Sequence, residues 1–239
     1  MRMHEDLLLL MLLDREGRPV PGGMGAYPFL IEAGLLVELV LRDRILVNGE
    51  TTMLLSSAEV GDESLDAAIA LLNERPDGKP VSDWLLIFSQ SLQLTQQTSG
   101  VLLERGDVHF RSKSFLGKVP TEMLHPGESE RWDDLQHRLD KAVHGDTLMD
   151  DRLFATLCLL SATPLLGRLY PRRQTDIRKR LKKIVREISS FDIKETAPEI
   201  MQRMLSVVTI AIALIKTNSG LPHSPRVVEM DTNHSADDR

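Results

Sequence analysis

The stretch 198–215 constrains the fold most. It opens on a capping box, Thr196 with Glu199, and Pro198 lies inside the first turn. The half that follows, 207–215, is apolar all round on a helical projection, which predicts a helix buried on every side. That run is nine residues with a threonine inside, whereas a membrane span takes about 20. A helix of this kind needs other helices around it. Composition agrees: aromatic residues are 4% of the 239-residue chain, while leucine and alanine are plentiful, which favours helices over strands. The expected fold class is mainly α, a single globular helical domain over 1–216. The composition shift from Thr217 on, to Pro, Ser, Asn, His and Asp, predicts a disordered tail over 217–239.

Other elements follow from spacing and punctuation. Residues 5–13 are a short apolar helix or strand, too short for periodicity to decide. Residues 28–41 read as a helix with Leu35, Leu36, Leu39 and Val40 on one face and Glu38 opposite. Ile45-Leu46-Val47, Asn48-Gly49 and Met53-Leu54-Leu55 predict a tight hairpin. Leu65, Ala68, Ile69 and Leu72 mark a helix starting near Gly61-Asp62, and Ser82 or Asp83 is the expected N-cap of the next. Residues 90–105 are helical, with Gly106 as the stop. Residues 107–121 form a second hairpin around Gly117, and His125-Pro126-Gly127 breaks the chain. Further helices are expected over 129–143, 148–163 and 174–189.

Charge is uneven. The chain is net −6, so it is not an obvious nucleic-acid coat. Yet Arg168, Arg172, Arg173, Arg178, Lys179, Arg180, Lys182, Lys183 and Arg186 face a single acid, Asp176, within 168–186. At helical spacing Ile177, Leu181, Ile184, Val185 and Ile188 make one stripe and the cations take the remaining circumference. This is a cationic amphipathic helix docked by its apolar stripe. Its cations serve either as a solvated face paired with the acidic remainder or as a site for an anionic partner. Near an anionic bilayer each Lys or Arg adds about 1 kcal/mol.

Signals for chemistry are few. The single cysteine, Cys158, lies in an apolar run, so a buried, inert thiol is expected, and neither a disulfide nor a cysteine zinc site can form within the chain. Phosphate loops, a nucleophile elbow and an HExxH helix have no match. His137 and His144 can share a helix face, but no carboxylate or cysteine pattern makes them metal ligands. Neighbours Asp133-Asp134 and Asp150-Asp151 point to different helix faces. Leu102 to Val108 has the outline of a winged-helix element, but Gln90 to Ser99 holds no Lys or Arg to grip phosphates. No enzyme, no cofactor and no metal are expected. A secretory signal pattern is not visible around Leu7 to Leu13, which is flanked by acids. Any membrane contact is therefore expected to be peripheral and cytoplasmic.

Several motifs recur in an order that resembles the Golgi phosphoprotein 3 family, including its bacterial relatives. They are Glu5-Asp6-Leu7-Leu8-Leu9-Leu10 with Asp14-Arg15-Glu16-Gly17, then Leu36-Val37-Glu38-Leu39-Val40-Leu41-Arg42-Asp43-Arg44-Ile45. Next come Gly61-Asp62 with Leu65-Asp66, Val81 with Trp84-Leu85, Leu103-Glu104-Arg105-Gly106, and Met149-Asp150 with Arg152-Leu153. The resemblance covers about 4–216. It implies a buried central helix ringed by amphipathic helices, with a projecting β-hairpin, and a peripheral, non-catalytic membrane adaptor. The implied partners are membranes carrying phosphatidylinositol 4-phosphate or other anionic lipids, cytosolic protein tails, and a second copy met through the hairpin. Here the anionic-lipid candidates are Arg168, Arg172, Arg173, Arg178, Lys179, Lys182 and Arg186. The hairpin candidates for membrane contact or self-association are Phe110, Phe115 and Leu116. The chain departs from the family where its headgroup pocket carries a tryptophan and arginines: the matching positions lie near Gly23 and Glu32 and within Leu92 to Gln97, with no basic residue.

Overall fold

The computed structural model describes residues 2–13, 29–75, 78–113, 121–127, 130–145, 149–190 and 199–218. Ten helices and five short strands occur among them. The first helix, α1 (Met3–Leu12), settles the ambiguity over residues 5–13, and all ten of its residues are buried. It crosses α2 (Leu30–Leu41), which is buried at ten positions. Gly34 makes the crossing possible. A Cβ there would lie 2.9 Å from His4 Cα and 2.9 Å from a Leu7 methyl, so any side chain would push the two helices apart.

This pair is the centre of the core, which corrects two expectations. The helix buried on every side is not the last one. Helix α10 (Glu199–Asn218) buries Met204, Val207, Val208, Ala211 and Ile215, at helical spacing along one face, while Thr209 and Ala213 are exposed. Its small and apolar residues go all round, but only this stripe meets the body. By length and composition α10 could cross a membrane, and 33% of its 18-residue apolar window is buried. The second correction concerns Glu38. It does not lie on a polar face of α2, because that helix has none, and the side chain is buried at 0% exposure.

Strands β1 (Ile45–Asn48) and β2 (Thr51–Leu54) form the expected hairpin, in the register Ile45↔Leu54 to Asn48↔Thr51, with Gly49 at φ 60 in the turn. A two-residue strand, β3 (Lys79–Pro80), adds to β2. Between them, α3 (Glu63–Asn73) is capped by Asp62, whose carboxylate accepts from Leu65 N at 3.0 Å. Helix α4 (Val81–Gln90) begins one residue before the expected caps. Pro80 is its N-cap, and neither Ser82 nor Asp83 plays that part. Trp84 and Phe88 of α4 fill the core with ring centroids 5.9 Å apart.

Helix α5 (Leu92–Glu104), capped by Ser91, ends at Gly106 with φ 71. The second hairpin pairs β4 (Val108–Lys113) with β5 (Thr121–Pro126), from Val108↔Pro126 to Lys113↔Thr121. It thus runs five residues beyond the expected end at 121. Pro126 is its terminal strand residue, a position where the missing N–H breaks no ladder bond. Residues 114–120, with Gly117, Phe115 and Leu116, lie outside the described residues. Helix α6 (Arg131–His144) ends at Gly145, φ 87. Helix α7 (Asp151–Ser161), expected over 148–163, starts at an Asp150 cap and is followed by a short helix, α8 (Leu165–Leu169), that was not expected. The expected cation-rich helix is α9 (Gln174–Ser190). Thr196 and the tail 219–239 lie outside the described residues, and α10 itself extends to Asn218.

Candidate functional site

Two groups of charged side chains stand out, one outside and one inside. The outer group is α9 with its lead-in. Ile177 and Leu181 are buried, and Ile184 and Val185 pack half-buried against the same core. That stripe turns the other positions outward. Arg168, Arg172, Lys179, Lys182, Lys183 and Arg186 are exposed, while Arg173, Arg178 and Arg180 are half-buried. Two of the half-buried arginines fasten the helix. Arg178 Nε donates to the Ser161 carbonyl at the end of α7 at 3.1 Å. Arg180 Nη1 donates to the Ala142 carbonyl near the end of α6 at 2.6 Å, where a cation also complements the helix dipole. Between α6, α7 and α9 lies a recess lined by Val143, Met149 and Leu157 together with Arg173, Asp176 and Arg180. Of the expected anionic-lipid residues, Arg178 is therefore occupied in holding α9 in place. Arg168, Arg172, Lys179, Lys182 and Arg186 share the outer surface.

The inner group was not anticipated. Glu5 and Asp6 stand in the first turn of α1 and Glu38 in α2, all buried. Each is met by arginines from distant segments. Glu38 Oε1 accepts from Arg152 Nε at 2.7 Å and from Met3 N at 3.0 Å, and its Oε2 accepts from Arg152 Nη2 at 3.2 Å and Arg42 Nε at 3.4 Å. Glu5 accepts from Arg2, Arg105 and Arg131. Asp6 accepts from Arg131 at 3.2 Å and Arg138 at 3.4 Å. Burial alone would raise the acids, but hydrogen bonds from Arg131 to Glu5 and from Arg152 to Glu38 bring both below the usual carboxylate range. Asp6 is the exception: its burial outweighs the two arginines and pushes it up to about 6.

His4 completes the inner group. Burial drives its pKa down despite nearby Asp62, Glu5 and Glu38, and neither ring nitrogen has a hydrogen-bond partner. His4, Glu5 and Asp62 bring potential metal-ligand atoms within 4.8 Å of one another. The electrostatics argue against a cation there. Glu5 is already held by three guanidinium groups, and Arg2 Nε stands 2.6 Å from Asp62 Oδ2. The arrangement is an ion-pair network rather than a metal cage.

The remaining expected residues are quickly placed. Cys158 is buried, and burial pushes its thiol up to about 12, as an inert core thiol requires. His137 and His144 are exposed on α6, where His144 Nδ1 lies 2.7 Å from the Asp140 carbonyl. Phe110 pairs with Leu124 in the hairpin register. Of the positions matching the family's headgroup pocket, Gly23 lies outside the described residues, Glu32 is half-buried in the first turn of α2, and Leu92 to Gln97 form the first half of α5.

The inner network could have been suspected from sequence. Acids inside otherwise apolar helices cannot reach water, so they demand partners. Arg2 and Arg42 are local partners, three and four residues away, but the others are set by tertiary packing: Arg131 is 126 residues from Glu5, and Arg152 is 114 from Glu38.

No curated protein matches the chain. The sequence profile of the family described as Golgi phosphoprotein 3 (GPP34) matches residues 3–207. That span runs from the first residue of α1 into the buried stripe of α10 and includes both charge groups except Arg2. With most of its length so matched, the chain belongs to the Golgi phosphoprotein 3 family.

Proposed function

We propose that the protein is a non-catalytic, peripheral membrane-binding adaptor that meets anionic lipid headgroups with the outer face of α9. The observation that carries this reading is the exposed cation set of α9 and its lead-in, Arg168, Arg172, Lys179, Lys182, Lys183 and Arg186, on a helix anchored from behind. A chain of net −6 concentrates nine cations against one acid over 168–186. Attraction of this kind acts within about a Debye length, roughly 8–10 Å, and weakens with salt. The hairpin with Phe110, Phe115 and Leu116 is the second contact in this reading. Phosphatidylinositol 4-phosphate is then one anionic lipid among several, since Glu32 and the segment Leu92 to Gln97 offer it no cation.

Vesicle co-flotation tests this. Vesicles would be neutral, generically anionic, or doped with phosphatidylinositol 4-phosphate, at about 50 and 200 mM salt. The expected result is binding to both anionic compositions at low salt, with loss at high salt. Binding that requires the phosphoinositide would move the site to a dedicated pocket. Failure to bind any vesicle at low salt would overturn the lipid reading in favour of a soluble protein-interaction module on the same fold.

A further inference from the structure

The lead-in to α9 reads Arg172-Arg173-Gln174-Thr175. Among the described serines and threonines, Thr175 alone follows two Lys or Arg residues within three positions. The fold presents this hydroxyl. Residues 171–173 form a turn, Thr175 is the second residue of α9, and both Thr175 and Arg172 are exposed. Ile177 N donates to the Arg173 carbonyl at 3.0 Å. The amides of 174–176 therefore precede the helical ladder. Thr175 also stands inside the cation set. Arg178 and Lys179 lie three and four residues further on, on its side of the helix. Arg178 is engaged with the Ser161 carbonyl, whereas Lys179 is exposed.

We propose that Thr175 is the phosphoacceptor of an arginine-directed protein kinase, and that its phosphate switches off the anionic-lipid contact of α9. The proposal rests on the lipid reading above and names its regulation. A kinase with an acidic substrate cleft selects a hydroxyl by the arginines that precede it. Thr175 Oγ1 attacks the γ-phosphorus of ATP. The new O–P bond replaces the bond to the β–γ bridging oxygen, ADP leaves, and the hydroxyl proton passes to the kinase's catalytic carboxylate. Such a cleft takes an extended segment. Here 171–173 already lie outside the helix, Gln174 is half-buried, and Thr175 and Asp176 are exposed. The first turn therefore opens without drawing a buried side chain from the core.

The phosphate changes charge and leaves the fold in place. In the first turn of α9 a negative group meets the favourable end of the helix dipole, so the helix is kept. The phosphate carries about −1.5 to −2 charges at neutral pH. It stands near Arg172 and Lys179, two of the six exposed cations on which the lipid reading rests. Asp176, next in the chain and exposed, adds to the negative side. Cancelling two cations weakens attraction to an anionic bilayer about thirtyfold.

The test treats the full chain with ATP and the catalytic subunit of cyclic-AMP-dependent protein kinase, an arginine-directed enzyme. Fragment mass spectrometry locates the phosphate, and the product is floated with anionic vesicles at about 50 mM salt. The expected product carries phosphate on Thr175 and binds about thirtyfold more weakly than the untreated chain. Thr175→Val, treated alike, should bind as the untreated chain does. No phosphate on Thr175, or full binding by the phosphorylated chain, would overturn the proposal. An equal loss in treated Thr175→Val would also overturn it, by placing the effect at another site. Absence of vesicle binding by the untreated chain would overturn the lipid reading and the switch with it, while phosphate found on Thr175 would still establish the acceptor.

Discussion

Helices α1 and α9 both carry charge, and they dispose of it in opposite ways. In α9 the apolar residues fall on one stripe, so every other position can face water. In α1 the leucines leave no polar side, so Glu5 and Asp6 go into the core with them. Arg178 and Arg180 of α9 are spent on carbonyls of α7 and α6, while Lys179, Lys182 and Arg186 stay exposed to water. Charges on α1 have lost their hydration and are met by Arg2 beside them and by Arg105, Arg131 and Arg138 from later in the chain. The same residue types thus serve two ends. In the proposed function the exposed cations tune association, while buried pairs tie α5, α6 and the second hairpin to the centre. The contrast predicts that substitutions in the inner group change stability and those in the outer group change binding.

The largest effect is expected at the inner group. Glu38→Ala leaves Arg152 and the Met3 amide without their acceptor, and should cost about 3 kcal/mol in urea unfolding. If it costs no more than an exposed substitution, the buried pair is not what joins α2 to α7. Gly34→Ala comes next. Its methyl would meet His4 Cα at 2.9 Å, and overpacking of this kind typically costs about 1–3 kcal/mol. Here a thermal melt would serve, and an unchanged midpoint would mean that α1 and α2 separate freely.

A smaller effect, and one of opposite signs, is expected from pH. His4 is held neutral by burial, so below its ordinary value of 6.5 the unfolded chain takes the proton more readily, and His4 lowers stability as pH falls. Asp6 takes its proton more readily when folded, so it raises stability as pH falls from about 6 toward 3.8. Replacing His4 with Gln should leave only the rise, and replacing Asp6 with Asn only the fall. Chemical unfolding of both variants at pH 5 and 7 would separate them. At the outer group, single changes such as Lys179→Ala or Arg186→Ala should stay within about 0.5 kcal/mol of the natural chain.

What the sequence made legible tracks the same distinction. Helix α9 was readable because Ile177, Leu181, Ile184 and Val185 repeat at helical spacing and no partner is needed to explain the cations. The start of α3 near Gly61-Asp62, the stop of α5 at Gly106 and the turn at Gly49 are local chemistry and equally plain. Periodicity failed where apolar residues cover every side. Helix α10 and helix α2 look alike by that criterion, yet only α2 is enclosed, because Gly34 lets α1 close over it. Glu38 read as a surface residue for the same reason: in a uniformly apolar helix, sequence does not say which side is the outside. Pro126 read as a break, although it ends a strand. The long-range inner pairs, such as Arg131 with Glu5 and Arg152 with Glu38, were beyond any local pattern.

Vesicle co-flotation at low salt with Arg172, Lys179, Lys182 and Arg186 all changed to Glu tests the division most directly, alongside an unfolding curve of the same variant. The account predicts that binding to anionic vesicles is lost while the unfolding transition stays cooperative and its midpoint nearly unmoved. Undiminished binding by that variant would contradict it, and would remove the α9 face from the membrane contact.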